Sequence, residues 1–241
     1  MNRFPISTQN YEKTMSTTEI IPEKHTHYQC APTPEVLTSV HAPGINMAIW
    51  QRPALPACQE AIETILTAST TYLLDTISSD KAALLRSLQE AALPLNPTIA
   101  MDTLAEDIWM LAELFCTINE IKEVRIRLAR IENDACKLFH ADTLHMRMLC
   151  TYAGAGTDWI ENHNACYDQL GSQGRSVEET NDAIVIDSNH IRTVDTWDVA
   201  LFSGRLKEDT LPLIHRSSPV KNRNAYRIRL CIDFPDAFGC E

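Results

Sequence analysis

Cys136-Lys-Leu-Phe-His140-Ala-Asp142-Thr-Leu-His-Met-Arg147-Met-Leu-Cys150-Thr-Tyr152-Ala-Gly154-Ala-Gly156-Thr157-Asp-Trp159 is the stretch on which the reading of this chain turns. In a β-strand, side chains two apart leave the backbone on the same side. His140 and Asp142 can therefore reach one ion while the small Ala141 turns away. A His-x-Asp pair joined by one distal histidine makes the 2-His-1-carboxylate set, which holds one face of a six-coordinate metal, typically Fe(II), and leaves the other positions open. His215, in Leu213-Ile-His215-Arg216-Ser-Ser-Pro219, is the distal candidate. It must arrive from a distant strand, as a β-barrel or jelly roll allows.

Working outward, the strand after Asp142 carries Arg147 and runs into Gly154 and Gly156. Those glycines supply the backbone freedom for a tight hairpin. Such a hairpin places Tyr152, Thr157 and Trp159 near the ion as pocket lining, with aromatic core as the alternative role for Tyr152 and Trp159. Near the C-terminus, Tyr226-Arg227-Ile-Arg229-Leu-Cys-Ile-Asp233 puts Tyr226, Ile228, Leu230 and Ile232 on one face and Arg227, Arg229, Cys231 and Asp233 on the other. An arginine directed into a barrel needs a carboxylate, of a ligand or of the protein, unless that face is exposed.

The period of the chain changes near residue 120. Before it, apolar residues recur at helical spacing. A helix is predicted from Cys58 to Ser78 on Ile62, Ile65, Leu66, Tyr72, Leu73 and Ile77. A second is predicted from Asp80, its N-cap, to Leu93, with Pro94 at the stop. A third runs from Met101 to Asn119 on Leu104, Ile108, Leu111, Phe115 and Ile118. After it, Val124, Ile126 and Leu128 alternate with Arg125, Arg127 and Ala129, a strand pattern. Strands are expected at 45–50, 122–131, 137–142, 145–152, 157–161, 183–187, 191–202, 212–216 and 225–234. The fold class is α+β: a C-terminal jelly roll or double-stranded β-helix (about 120–235) with a helical layer (about 58–119) packed on it. Residues 41–241 form one integrated domain, and residues 1–40, which include His25-x-His27, read as a mobile polar tail.

Composition narrows the function classes. The 241 residues carry a net charge of −11 with 44% hydrophobic side chains. That charge argues against nucleic acid as a main partner. No apolar run is long enough to span a bilayer, and the N-terminus lacks the order of a signal peptide, so a cytoplasmic protein without membrane contact is expected. Eight cysteines form no C-x-x-C pair, which removes zinc-ribbon and thioredoxin readings and fits reduced thiols. Nucleophile-elbow, phosphate-loop, H-E-x-x-H and dinucleotide-binding motifs are absent.

The stretch Cys136–Trp159, together with Ile45-Asn-Met-Ala-Ile-Trp50-Gln-Arg52 and His215-Arg216-Ser-Ser-Pro219, resembles the bacterial domain-of-unknown-function family 1826. The resemblance implies a role around metal supply and zinc homeostasis, with a zinc-chaperone GTPase as partner. More distantly, the chain is similar to the Fe(II)/2-oxoglutarate oxygenase double-stranded β-helix, a cupin-like fold. That similarity implies a dioxygenase, an oxidoreductase with His140, Asp142 and His215 as metal ligands. It implies Arg227 or Arg229 as the residue that holds the cosubstrate's far carboxylate. Arg147 and Arg216 join the pocket lining. The substrate, a small molecule or a protein, is not named by any segment. The alternatives are a non-catalytic zinc module using the same ligands with water, Cys136 or Cys150 as the fourth, and a metal-free jelly-roll scaffold.

Overall fold

The computed structural model describes residues 26–67, 73–92, 101–132, 136–219 and 226–237. The described residues form a mixed α+β structure with two sheets. The large sheet has strand order β1-β2-β8-β5-β10-β4-β3 and the small one β7-β6-β9. The strands are β1 (Tyr28–Ala31), β2 (Met47–Trp50), β3 (Leu73–Ser78), β4 (Val124–Ile131), β5 (Met146–Ala153), β6 (Thr157–Ile160), β7 (Ile191–Val194), β8 (Val199–Ser203), β9 (Ile214–Ser217) and β10 (Arg227–Asp233). The helices are α1 (Gln59–Thr67), α2 (Lys81–Ala92), α3 (Asp102–Asn119) and α4 (Val177–Ile184). Every strand pair among the described residues is antiparallel except β1 with β2.

Two-residue alternation splits the large sheet between two cores. Ile228, Leu230 and Ile232 of β10 and Met148 and Cys150 of β5 share a buried cluster with Leu104, Ile108, Leu111 and Phe115 of α3. Cys231 and Leu149, of the opposite parity, instead join Trp159 of β6, Val194 of β7 and Leu213. One face of β5 and β10 therefore shares its core with α3, and the other shares its core with residues of the small sheet. The α3 stripe is the predicted one, and the helix closes with Glu120 in the left-handed region (φ 54°), its N–H bonded to the Cys116 carbonyl. Asp80 accepts from the Ala82 N–H at 2.9 Å, as expected of a residue that caps the start of α2. No described helix is long and apolar enough to cross a membrane.

Several expectations are corrected. The helix expected over 58–78 is α1 followed by strand β3, with Tyr72 outside the described residues. The spacing of Leu73 and Ile77 fits either state, and Thr76 and Ile77 favour a strand. The strand expected at 183–187 is the last residues of α4, whose Ser176–Glu179 capping box marks a helix start, followed by a single bridge between Val185 and Ala165. The strand expected at 191–202 is β7 and β8, separated by a turn in which Trp197 takes φ 76°. The strand at 137–142 reduces to one bridge between His140 and His215. The tail expected to reach residue 40 is structured from residue 28. There β1 pairs with β2, a 3-10 segment spans Pro34–His41, and His27 is buried against them; His25 lies outside the described residues.

Gly154 and Gly156 do not form a hairpin, because β5 and β6 belong to different sheets. The glycines instead let the chain pass between sheets beside other backbone. A Cβ at 154 would overlap Tyr226 and Arg227, and one at 156 would overlap the Val194 carbonyl.

Candidate metal centre

Residues 138–142 lie outside the named strands and are joined to β9 by one bridge at His140. Phe139 and Ala141 pack with Ile160, Ile184 and Ile214 in a small core of their own. Asn181 of α4 pins this segment, accepting from the Phe139 N–H at 2.8 Å and donating to the Lys137 carbonyl at 3.1 Å. Alternation then turns His140 and Asp142 away from that core. Gly204, just beyond β8, lies against the carbonyls of Asp142 and Leu144, where a Cβ would overlap both. The Arg205 N–H donates to the Asp142 carbonyl at 2.8 Å.

His215 sits on β9, an edge strand of the small sheet, opposite Trp159 of β6. Its backbone exchanges both hydrogen bonds with His140, at 2.9 and 3.0 Å, and the two imidazole rings lie 4.6 Å apart. One ligand atom from each of His140, Asp142 and His215 falls within 4.8 Å of the others. His140 Nε2 is 3.6 Å from Asp142 Oδ1, and His215 Nε2 is 3.5 Å from Asp142 Oδ2.

Both rings are oriented from behind. His140 Nδ1 lies 2.8 Å from the Leu138 carbonyl and His215 Nδ1 lies 3.4 Å from the Leu213 carbonyl. A carbonyl only accepts, so Nδ1 carries a proton in both rings, and a neutral ring then presents the Nε2 lone pair to the centre of the cluster. Burial draws the pKa of His215 down to about 3, with the His140 and Arg147 charges adding to it and Asp142 opposing. The ring is therefore neutral at physiological pH, as a metal ligand must be. Burial also opposes ionisation of Asp142. His215, His140 and Arg147 outweigh it and hold the carboxyl well below the usual range. With His215 neutral, the permanent charge on Asp142 is that of Arg147, 2.7 Å away. Two imidazoles, that of His215 neutral, and one ionised carboxylate fit a divalent ion of borderline softness.

The triad lines a cavity of about 730 Å³ that also takes in Arg147, Thr157, Arg216, Arg229 and the apolar side chains of Leu138, Leu144 and Leu149. Arg229 accompanies the triad; its Nε is buried without a hydrogen-bond partner, and no ion pair among the described residues reaches its side chain. Arg227 does not join it and lines a second cavity of about 640 Å³ with Gly154, Asp158 and Tyr226. Arg216 borders both cavities, bonded through Nε to Asp158 Oδ2 at 3.1 Å and stacked on Phe139.

Tyr152 and Trp159 are not pocket residues. Tyr152 stands an odd number of residues from Arg147 and so faces the helices, donating to Asp107 at 2.7 Å. Trp159 packs in the inter-sheet core against Tyr28, with ring centroids 4.9 Å apart. Cys150 is likewise on the helix side, with its thiol beside Arg52 and the Trp197 carbonyl, so it is no fourth ligand. Cys136 borders the cavity.

Two residues of this neighbourhood were not singled out in the sequence. Asp233 is wholly buried and bonded to Arg147. Its shared parity with Arg229 in β10 was the available signal. Asp158 takes hydrogen bonds from Thr193, Arg216 and Ser218 and has no periodic signature.

This geometry defines a candidate mononuclear metal centre between two β-sheets. The chain belongs to the family described as Protein of unknown function (DUF1826), whose model matches residues 31–233. No curated protein matches it. Among solved structures it is similar to a putative oxygenase from Shewanella oneidensis, at 10% identity and TM-score 0.45, covering 87% of this chain and 91% of that one. AviO1 from Streptomyces viridochromogenes matches at 13% identity and TM-score 0.41, covering 86% and 97%. The Fe(II)/(alpha)ketoglutarate-dependent dioxygenase TqaL matches at 13% identity and TM-score 0.41, covering 77% and 79%.

Proposed function

We propose that this chain is an Fe(II)- and 2-oxoglutarate-dependent oxygenase. We read the chain's alternation between the two sheets as a double-stranded β-helix, with the helices as its outer layer. The observation that carries the proposal is the placement of Arg229. An arginine without an ion-pair partner among the described residues lines the same cavity as three convergent metal-ligand atoms. Bound iron would supply the oxygen activation and 2-oxoglutarate the electrons. His140, Asp142 and His215 would hold the ion, and Arg229 would take the far carboxylate of the dicarboxylate in a charge-assisted bond. Leu138, Leu144 and Leu149 would limit water around the reacting groups. The substrate would enter the remaining cavity past Thr157 and Arg216.

A zinc module would use the same three ligands with water as the fourth. It gives Arg229 no task, which is why the oxygenase reading is preferred. Anaerobic titration of the Fe(II)-loaded protein with 2-oxoglutarate separates the two. The expected result is a weak visible metal-to-ligand charge-transfer band that is lost in His140→Ala, with Asp142→Ala abolishing 2-oxoglutarate turnover in air. Stoichiometric zinc with no band would favour the module, and unchanged turnover in Asp142→Ala would sink the ligand assignment.

A further inference from the structure

A line of buried charge runs away from Asp142 into the sheet. Arg147 of β5 donates from Nη1 to Asp142 Oδ2 at 2.7 Å. Its Nε and Nη2 donate to the two oxygens of Asp233 at 2.7 and 3.2 Å. Asp233 stands directly opposite Arg147 in the β10–β5 register. It also receives Arg127 of β4 and, at 3.2 Å, the Cys231 thiol. Charges of alternating sign thus link Asp142, Arg147, Asp233 and Arg127, and Asp233 is 0% exposed.

Packing alone does not call for this arrangement. Burying an arginine and a carboxylate costs several kcal/mol per ion, and a well-packed apolar pair of similar volume is often as stable. What the charges supply is orientation. A guanidinium is planar, and Asp233 holds one edge of it in a two-point bond, which sets the direction of Nη1. Nη1 in turn fixes the rotation of the Asp142 carboxylate. Oδ2 is engaged by Arg147 and lies 3.5 Å from His215 Nε2, while Oδ1, with no arginine on it, faces His140 Nε2 at 3.6 Å.

We propose that Arg147, clamped by Asp233, is a positioning residue of the metal centre. It retains one oxygen of Asp142 and leaves the other for the ion, so the carboxylate fills one coordination position rather than two. The inference rests on the metal-centre reading and deepens it, because the position left vacant is one that an exogenous ligand can take. Partners of metal ligands of this kind commonly change metal affinity 10–100-fold when removed.

The test uses the full chain loaded with Co(II), whose visible absorption reports coordination number. Affinity is measured by competition with a chromophoric chelator, and folding by circular dichroism. R147M is expected to raise the Co(II) Kd about 10- to 100-fold and to change the band intensity. D233N leaves Asp142 itself intact and is expected to move the spectrum in the same direction by less. R147K keeps the buried charge without the two-point clamp and is expected to fall between them. A residue that only supports the fold would lower Tm and leave the Co(II) spectrum unmoved. Folded R147K and D233N proteins with wild-type spectrum and Kd therefore overturn the inference even where R147M does not fold. Wild-type protein that takes up no Co(II) overturns the metal-centre reading as well, so the two failures are distinct.

Discussion

Two buried arginine–aspartate systems lie on opposite faces of the same sheet, and they end differently. On the helix side, Arg52 donates from Nη1 and Nη2 to the two oxygens of Asp107 at 2.6 and 2.9 Å, and from Nε to the Trp197 carbonyl at 2.9 Å. The Tyr152 hydroxyl closes the second Asp107 oxygen, and the indoles of Trp50 and Trp197 flank the guanidinium. On the other side, the chain from Arg127 through Asp233 and Arg147 stops at Asp142, in the wall of the cavity, beside the imidazoles of His140 and His215. The first network is closed on itself and ties α3 to β2 and β5. The second delivers an oriented carboxylate to an open space. Buried charge alone is thus weak evidence of function; what distinguishes the site is where the network ends.

The comparison breaks most directly at Asp107. Removing one partner of a buried pair leaves the other charge uncompensated, at about 3–5 kcal/mol. Asp107→Ala is expected to lower Tm by about 6–20 °C, since each kcal/mol moves a domain of this size about 2–4 °C. Its Co(II) spectrum and 2-oxoglutarate affinity should remain those of the wild type wherever the protein is folded. A melt within about 2 °C of wild type, or an altered metal spectrum, would erase the distinction between the closed and open networks.

Arg229 sharpens it with a smaller effect. A hydrogen bond to a charged group contributes about 1.5–3 kcal/mol. Arg229→Gln is expected to weaken 2-oxoglutarate binding to the Fe(II) protein about 10- to 100-fold, measured by the charge-transfer titration. Stability should change little, because no ion pair among the described residues is broken. Unchanged affinity would move the dicarboxylate elsewhere in the cavity and remove the main argument for an oxygenase over a zinc module.

The sequence made the metal-facing side more legible than the helix-facing side. His140 and Asp142 stand at a spacing that alternation sorts onto one face, and Arg229 shares a parity with Asp233 in β10; Arg147, an odd number of residues from Asp142, meets them because residues 143–145 lie outside any strand. The odd separation of Tyr152 from Arg147 already excluded it from that face, had parity been carried through the strand. Asp107 occupies a helical position between Leu104 and Leu111, so a carboxylate on an otherwise apolar stripe was the signal for a buried partner. Nothing local marks that partner as Arg52, because the pairing is set by how α3 docks on the sheet. The same holds for Arg227, which parity groups with Arg229. An irregularity in the β10–β5 register falls between Ile228 and Arg229, and the two arginines border different cavities.

His27 offers a third buried network, closed and neutral, and the smallest expected effect. Its Nε2 accepts the Asn162 N–H at 3.0 Å, so Nδ1 holds the proton and lies 2.6 Å from Asn46 Oδ1. Protonating Nε2 would set two donors face to face. Burial lowers the pKa of His27, against the opposing influence of Asn46 and Glu161. Below its unfolded value of about 6.5, the unfolded chain binds the proton more readily than the folded one. Stability is therefore expected to be level above that pH and to decline as pH falls beneath it, through loss of β1 from the edge of the large sheet. His27→Gln should flatten part of this decline, leaving the part that belongs to His215. Urea unfolding at pH 5.5 and 7.5 measures both. An identical pH dependence in the two proteins would show that a closed neutral network can absorb a proton without loosening, and that closure rather than charge keeps β1 in place.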